Sequence, residues 1–286
     1  MDIHCDRLDA LRYMANDSKA KNDDIKTKDN DYIVDGLLFC SKCHTPKQVR
    51  LTVFGKETVL NCVCECEAKR LEAERKELEK KEHERKIERL RSVGFPDDEM
   101  ASITFEADDR ANKKISHSAH AYVENFKQMY RSHKGLLFYG SVGTGKTFIS
   151  ACIANALIDD GVSVLVTNFS RLVNTIAGMY DGKQAYLDHL NDFDLLIIDD
   201  LGAERDTEYM DETVQSIIDS RYRSGKPLIV TTNLTAQELK NPLDIRKQRV
   251  YSRLFEMCIP IEVKGKDRRK EKLRSGYDEL AGLLGL

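Results

Sequence analysis

Residues 135–154 read GLLFYGSVGTGKTFISACIA, and this stretch decides the fold. An apolar run that predicts a strand leads into a glycine-rich loop, and apolar residues at helical spacing follow the loop. The loop matches GxxxxGKT between a strand and a helix, which is the context that this phosphate-binding pattern requires. The matching residues are Gly140, Ser141, Val142, Gly143, Thr144, Gly145, Lys146 and Thr147. The sequence therefore predicts an α/β protein that binds a nucleotide.

Each residue type in this loop suits the chemistry of phosphate binding. Glycines allow the backbone to fold into a nest of N–H groups around the phosphates, next to the positive N-terminus of the helix. We expect Lys146 to reach the β- and γ-phosphates and Thr147 to ligate Mg²⁺. The alternative is a glycine-rich turn that binds no ligand.

Two acidic residues end another apolar strand about fifty residues further on, where residues 194–200 read DLLIIDD. Open α/β sheets bind ligands at the carboxyl ends of their strands, where these acids would lie. We expect Asp199 to hold Mg²⁺ through water and Asp200 to polarise the attacking water. Capping of the next helix is the alternative role for both acids.

A third strand also ends in polar residues, since residues 227–233 read PLIVTTN. The amide of Asn233 can orient the water beside the γ-phosphate and so sense the state of the nucleotide. Thr-Asn is also ordinary turn sequence, so this assignment depends on the two motifs that precede it.

Beyond Phe95, short apolar runs alternate with segments of helix length. The predicted strands are residues 136–139, 162–167, 195–198, 228–231 and 259–263. Strands separated by helices imply right-handed βαβ crossovers and a mostly parallel sheet that is covered on both faces. The sequence thus predicts a five-stranded parallel sheet with helices on either side.

Two groups of arginines follow this sheet. Arg253 falls late in a helical stretch before the last strand, where it is either an arginine finger for a neighbouring subunit or part of a surface ion pair. The basic run at residues 264–274 can contact nucleotide phosphate, nucleic-acid backbone or only water. Within that run we assign the nucleotide contact to Arg269.

Composition limits where the protein works. The 45 lysines and arginines against 48 acids give a net charge of −3, so binding of nucleic acid would need local basic surface. No apolar run approaches the ~20 residues that cross a bilayer, and the polar first thirty residues carry no secretory signal. We therefore expect a cytoplasmic protein that does not enter the membrane.

Five of the eight cysteines fall between residues 40 and 66, and this clustering indicates a metal site in a reducing compartment. Apolar residues alternate along residues 49–60 between them, which predicts a hairpin with a turn at Gly55 and Lys56. Residues 67–91 contain eight glutamates and ten basic residues, which favours a solvated single helix over a coiled coil. We divide the chain into a flexible leader (1–35), a cysteine module (36–66), a charged helical linker (67–92), the α/β domain (93–272) and a tail (273–286).

The ordered set GSVGTGKT, LLIIDDLGAE, PLIVTTNL and RVYSRLFE resembles the AAA+ ATPases of the DnaC/IstB type, over residues 95–272. By this resemblance the fold is a P-loop AAA+ core that hydrolyses ATP with Mg²⁺. Lys146 and Thr147 would take the Walker A roles, and Asp199 and Asp200 the Walker B roles. The remaining roles are sensor 1 for Asn233, the finger in trans for Arg253 and sensor 2 for Arg269.

The resemblance also implies partners. Members of this family assemble into rings or spirals, bind single-stranded DNA and deliver a replicative DnaB-type helicase onto it. Arg171, Tyr180 and Lys183 occupy the place where such proteins often contact DNA, and stacking plus phosphate contacts would suit a strand bound without sequence preference. Ordinary exposed helix positions are the alternative reading of these three residues.

The cysteine module resembles the N-terminal zinc module of phage-type DnaC-like loaders. Tetrahedral zinc needs four thiolate or imidazole ligands. Cys40 and Cys43 would supply one pair and Cys64 and Cys66 the other, with Cys62 as an alternate and His44 as a weaker substitute. Free thiols or redox chemistry are the alternative to zinc.

The first functional hypothesis is therefore an ATP-dependent helicase loader. The second is a transposition helper that uses the same ATPase to assemble on duplex DNA and recruit a transposase. A third is an adaptor that is gated by nucleotide and hydrolyses it too slowly for turnover to matter, and a fourth is a small-molecule P-loop kinase. The zinc module and the charged helix favour the loader by analogy only.

Overall fold

The computed structural model describes residues 30–53, 55–95, 98–110, 112–202, 207–242 and 244–268. The chain divides into two compact units, residues 1–80 and 81–286. Most of the predicted leader, the predicted tail and Arg269 lie outside the described residues. Among the described helices, none is both long and apolar enough to cross a membrane.

The first unit is built from two small antiparallel pairs of strands. β1 (Tyr32–Val34) pairs with β2 (Leu37–Phe39), and β3 (Gln48–Val53) pairs with β4 (Lys56–Asn61). The second pair confirms a hairpin, but Lys56, predicted to lie in the turn, is instead the first residue of β4 and is paired with Val53. Most side chains of both pairs are exposed, so little of this unit is held by apolar burial.

A 30-residue helix, α1 (Glu65–Gly94), follows the hairpin. It begins two residues before the predicted linker because the hydroxyl of Thr45 accepts the Glu65 N–H at 2.9 Å and so caps the helix. Only Gly94 is buried along its length, and ion pairs such as Lys76 Nζ to Glu72 Oε1 (3.4 Å) cover its surface. The helix is solvated as predicted, and the division between the two units falls inside it.

The second unit contains the large sheet and its helices. In chain order its elements are α2 (Asp98–Ala101), a 3₁₀ turn (Phe105–Ala107), α3 (Lys113–Glu124), α4 (Phe126–Arg131), β5 (Gly135–Tyr139), α5 (Lys146–Asp159), β6 (Val164–Asn168), α6 (Phe169–Ala177), α7 (Lys183–Leu190), β7 (Leu195–Leu201), α8 (Glu208–Ser224), β8 (Leu228–Thr232), α9 (Ala236–Lys240), α10 (Ile245–Met257) and β9 (Cys258–Glu262).

The sheet has the strand order β6-β7-β8-β5-β9, and every neighbouring pair is parallel. The predicted five-stranded parallel sheet is therefore confirmed. Alternate residues of one strand enter different apolar layers: Leu137 packs into one cluster, whereas Leu136 and Phe138 pack into the other. This alternation buries both faces of the central strands and explains their continuous apolar sequence.

One buried arginine ties the amino ends of two strands together. Arg221 on α8 is wholly buried, and its guanidinium donates hydrogen bonds to the carbonyls of Leu190, Phe193, Asp194 and Pro227. Burial lowers the pKa of Arg221 to about 10. Because these carbonyls precede β7 and β8, the arginine fixes the edge of the sheet opposite the phosphate loop.

Candidate functional site

The phosphate loop connects β5 to α5 and takes the backbone conformation that glycine permits. Gly143 has φ +77°, and a Cβ atom built on it would lie 2.0 Å from the Oδ1 atom of Asp267. Gly145 (φ +96°) forms the N-cap of α5. Both the left-handed dihedral angles and the close approach at residue 143 therefore require glycine.

Lys146 lies inside this loop with only 5% of its surface exposed. Its Nζ atom donates hydrogen bonds to the carbonyls of Gly140 (2.9 Å) and Ser141 (2.8 Å) and to Oδ1 of Asn233 (2.8 Å). A single ammonium group thus joins the phosphate loop to the end of β8. A charge held this way is placed to interact with phosphate oxygens.

The acidic pair lies at the carboxyl end of β7, beside the same loop. The Thr147 hydroxyl is 3.0 and 2.9 Å from the two carboxylate oxygens of Asp199. Burial raises the pKa of Asp199, and the neighbouring charge of Asp200 raises it further. The Nδ2 atom of Asn233 lies 3.4 Å from Oδ1 of Asp200. The structure thus brings Lys146, Thr147, Asp199, Asp200 and Asn233 together.

An open cavity of about 440 Å³ lies over the phosphate loop. Its lining includes the loop from Val142 to Thr147, together with Asp200 and Asn233. Thr147 and the carboxylates can hold a hard cation such as Mg²⁺, which prefers oxygen ligands. The cavity is large enough for a nucleotide, since ligand pockets typically span about 300–1,000 Å³.

Four other residues of the cavity are absent from the sequence predictions: Ala107, Asp109, Phe148 and Arg268. The Arg268 N–H donates to the Gly143 carbonyl at 3.0 Å, and its Nη2 atom lies 2.7 Å from Oδ1 of Asp109. The basic run at 264–274 pointed to this region, but we chose the next residue, Arg269, which lies outside the described residues. No local pattern could reveal Asp109, because 159 residues separate it from Arg268.

Arg253 does not line this cavity. Its guanidinium forms an ion pair with Asp219 of α8 and lies 5.8 Å from the ring centroid of Tyr222. About a third of its side chain is exposed, so a neighbouring molecule could still reach it. Within one chain Arg253 therefore forms the predicted ion pair. Its role as an arginine finger for a neighbouring subunit stays a prediction.

The three residues predicted to contact DNA lie on α6, on α7 and between them. Tyr180 is 97% exposed, and Arg171 is exposed in the first turn of α6. The Nζ atom of Lys183 lies 5.6 Å from the ring centroid of Tyr209, a second exposed tyrosine, which is not among the three predicted residues. Exposed rings beside basic groups suit stacking against bases.

Four cysteines of the first unit form a compact cluster: Cys40, Cys43, Cys64 and Cys66, with all four Sγ atoms within 4.8 Å of one another. The Sγ atom of Cys66 lies 3.5 Å from that of Cys40 and 3.4 Å from that of Cys64. These separations fit four thiolates around one zinc ion with bonds of about 2.3 Å. A hydrogen bond from the Thr45 hydroxyl lowers the pKa of Cys43 to about 5, whereas hydrogen bonds with Cys64 and Cys40 raise the pKa of Cys66 to about 12.

The two reserve ligands lie outside this cluster. Cys62 directs its thiol to the Pro46 carbonyl at 3.4 Å. The Nδ1 atom of His44 lies 3.0 Å from the hydroxyl of Tyr32. The structure therefore groups the favoured set of four cysteines and gives the two substitutes other partners.

Comparison with known families decides the relationship. The sequence profile of the family described as "IstB-like ATP binding protein" matches residues 67–275, which include the loop, both acidic residues and Asn233. The chain belongs to this family. As an IstB-like ATP-binding protein it has the P-loop AAA+ core that the motif set predicts, and the resemblance stated from the sequence is confirmed.

Relatives of this IstB-like protein include proteins named replicative helicase loaders. It is 26% identical over 163 residues to DnaI of Bacillus subtilis, covering 52% of this chain and 52% of that protein. It is 31% identical over 140 residues to DnaC of Escherichia coli K12, covering 48% of this chain and 55% of that protein. The chain thus spans about half the length of the curated relatives it matches.

Solved structures of DnaI and DnaC also share the fold of this chain. The crystal structure of DnaI aligns with a TM-score of 0.52 at 27% identity, covering 63% of this chain and 99% of that one. A crystal structure of the DnaC helicase loader aligns with a TM-score of 0.50 at 23% identity, covering 58% and 99%. The AAA+ fold of the IstB-like unit is therefore shared with both.

Proposed function

We propose that this protein is an ATP-dependent helicase loader that binds a replicative hexameric helicase and single-stranded DNA. The observation that carries this proposal is that Lys146, Thr147, Asp200 and Asn233 line one cavity, and that Asp199 is hydrogen-bonded to Thr147 beside it. Relatives named replicative helicase loaders support the choice of this role among AAA+ functions.

In this proposal the cavity binds ATP and hydrolyses it. Lys146 and Arg268 contact phosphate oxygens, while Thr147 and Asp199 hold Mg²⁺, which neutralises charge on the β- and γ-phosphates. Asp200 orients the attacking water, and Asn233 responds to loss of the γ-phosphate because its amide lies between Lys146 and Asp200. Arg269 remains a further candidate for the phosphate contact.

The site is completed in the proposal by Arg253 of a neighbouring subunit in a ring or spiral. This role requires Arg253 to leave Asp219, which its partly exposed side chain permits. Mixing Lys146→Ala and Arg253→Ala subunits tests it, because an intact lysine and an intact finger then meet at some interfaces. Recovery of ATP hydrolysis in the mixture supports the finger, and an inactive mixture with normal assembly contradicts it.

We propose that Arg171, Tyr180 and Lys183 contact single-stranded DNA, with Tyr209 as a second stacking ring. Replacement of Tyr180 by alanine should weaken binding by about 1–3 kcal/mol if the ring stacks on a base. The Tyr32→Ala variant is the control, since that tyrosine lies in the first unit. An unchanged affinity for the Tyr180 variant would remove this surface from the proposal.

The partner is tested with the intact chain and the replicative helicase of its host, in ATP and in ADP, followed by mass determination. An ATP-dependent complex with several copies of each protein is the expected result. Failure to bind the helicase in either nucleotide contradicts the loader role while leaving the ATPase assignment in place.

A second candidate is favoured by the family itself, whose description is IstB-like. In this case the same ATPase would assemble on duplex DNA and recruit a transposase. Filaments on duplex DNA that capture a transposase, together with no helicase complex, would establish it. The two candidates differ in partner and share one nucleotide site.

We also propose that Cys40, Cys43, Cys64 and Cys66 hold a structural zinc ion in either case. The support is their mutual Sγ separation and the identity of the four ligands, all of them cysteine thiols. Thiolate ligands alone select zinc over hard cations.

A further inference from the structure

The two acidic residues at the end of β7 lie in a bulge. Ile198 is paired with Val230 of β8, and Leu201 is paired with Thr232, so the register shifts between these pairs. Asp199 and Asp200 together therefore oppose one residue, Thr231. Asp200 also has φ +57°, a left-handed conformation that non-glycine residues seldom adopt.

The bulge explains how two consecutive carboxylates serve one site. Successive side chains of a regular strand point to opposite faces of the sheet, so Asp199 and Asp200 would normally diverge. With the extra residue, the Asp199 carboxylate meets the Thr147 hydroxyl, and Asp200 lines the nucleotide cavity. The pair thus depends on a backbone irregularity that costs free energy and needs local support.

That support comes from the side chain opposite the bulge. The hydroxyl of the wholly buried Thr231 donates a hydrogen bond to the Asp199 carboxylate. The same hydroxyl accepts a hydrogen bond from the Asp200 backbone N–H at 3.0 Å. One hydroxyl thereby orients one acid and fixes the backbone of the other. Ladder hydrogen bonding is disrupted at a bulge, so this hydroxyl supplies a partner that the strand cannot.

We propose that Thr231 is the positioning residue that holds Asp199 and Asp200 in their two different orientations for ATP hydrolysis. The inference rests on the proposed ATPase activity and adds a requirement to it. Thr231 touches no nucleotide in this scheme and acts only through the two acids. Its loss should reduce turnover much more than it reduces nucleotide binding, because Lys146 and the phosphate loop are untouched.

Thr232, the next residue, provides a matched control. It is equally buried, and its hydroxyl also makes two hydrogen bonds, donating to the Leu201 carbonyl at 2.7 Å and accepting the Leu234 N–H at 3.2 Å. Neither of these partners is a carboxylate. Thr231→Val and Thr232→Val therefore remove the same atoms from the same strand, and only the first removes contacts with the acids.

The experiment measures ATP hydrolysis by the full chain against MgCl₂ concentration, binding of a fluorescent ADP without Mg²⁺, and Tm. For Thr231→Val we expect kcat to fall about 10- to 100-fold, as for other residues that orient a metal-binding side chain. The ADP affinity should stay near that of the wild type. Thr231→Ser should restore most of the rate, since it restores the hydroxyl. Both valine variants should lower Tm by similar amounts, since each loses two buried hydrogen bonds. Thr232→Val should nevertheless keep its kcat close to the wild-type value.

Three outcomes overturn the inference: an unchanged kcat in Thr231→Val, an equal loss in Thr231→Val and Thr232→Val, or no rescue by serine. If the wild type itself hydrolyses no ATP under any condition, the proposed function fails. In that case crystal structures of the two valine variants still test whether Thr231 holds the two acids in place. The inference holds if Asp200 leaves the left-handed conformation only in Thr231→Val, and it is wrong if Thr231→Val keeps the bulge or if both variants lose it.

Discussion

The first and the second unit of this chain differ in what stabilises each of them. In the described part of the first unit only Cys40, Gln48 and Cys64 are buried, and two of these three belong to the cysteine cluster. The second unit buries two apolar clusters on the faces of a five-stranded sheet. A small unit with little apolar burial requires another source of stability, and the proposed zinc ion would supply it here, whereas a unit with a large core has no such requirement. This difference predicts that either unit can be unfolded while the other stays folded.

The largest effect should come from metal removal or from Cys66→Ser. Structural zinc contributes about 10–16 kcal/mol of apparent folding free energy, so the first unit should unfold without it. Limited proteolysis should then cleave residues 30–64, while binding of a fluorescent ATP analogue persists. Cys62→Ser is the control, since this thiol lies outside the cluster and should leave the unit folded. Loss of ATP binding on chelation would show that the two units are not independent.

The next effect concerns the second unit alone. Arg221→Met should lower its free energy of unfolding by about 3 kcal/mol or more, because several buried carbonyls lose their donor at once. Urea denaturation checks this. Arg223→Met on the same helix is the control, because that arginine is exposed and should change stability little. If Arg221→Met also made the cysteine cluster release zinc faster, the two units would not be stabilised independently.

A third change separates binding from stability. Lys146→Ala should weaken ATP binding by about 1.5–3 kcal/mol, which is the value of hydrogen bonds to a charged group and corresponds to roughly 10- to 100-fold. Calorimetric titration measures it, with the exposed Lys127→Ala as the control. Zinc content should match the wild type. Unchanged ATP affinity in Lys146→Ala would contradict the assignment of the phosphate loop.

The smallest effect depends on pH. Asp244 caps α10, and its hydrogen bond with Arg246 lowers its pKa to about 2. Because the folded pKa lies below the unfolded value of about 3.9, the charged carboxylate stabilises the fold above pH ~4, and this contribution disappears as the pH falls through about 2. Asp244→Asn should therefore lower Tm slightly at pH 7, and the two melting temperatures should converge in acid. The exposed Asp181→Asn should match the wild type at every pH, and parallel curves for Asp244→Asn would contradict the assignment.

Much of the second unit follows from local sequence. The strands, their parallel direction and the phosphate loop are read from short patterns, because a buried strand and a glycine-rich turn carry their signals within a few residues. The pairing of Thr147 with Asp199 also follows, since the carboxyl ends of parallel strands meet at one edge.

What the sequence does not reveal depends on pairing between distant residues. The bulge at Asp199 and Asp200 is set by the register of β7 on β8, and alternating hydrophobicity contains no sign of it. Arg221 looks like any charged residue of a surface helix until the carbonyls of two separate segments, residues 190–194 and Pro227, surround it. The start of α1 at Glu65 likewise depends on Thr45, twenty residues earlier.

The 97% exposure of Tyr180 has a practical consequence, because the chain contains no tryptophan. A Tyr180→Trp substitution would place a single indole fluorophore on the predicted DNA surface with no other tryptophan emission to subtract. Surrounded by solvent, it would emit at long wavelength, and stacking against a base would quench it. The same ring that is proposed to hold DNA thus offers an optical record of when a strand arrives and when it leaves.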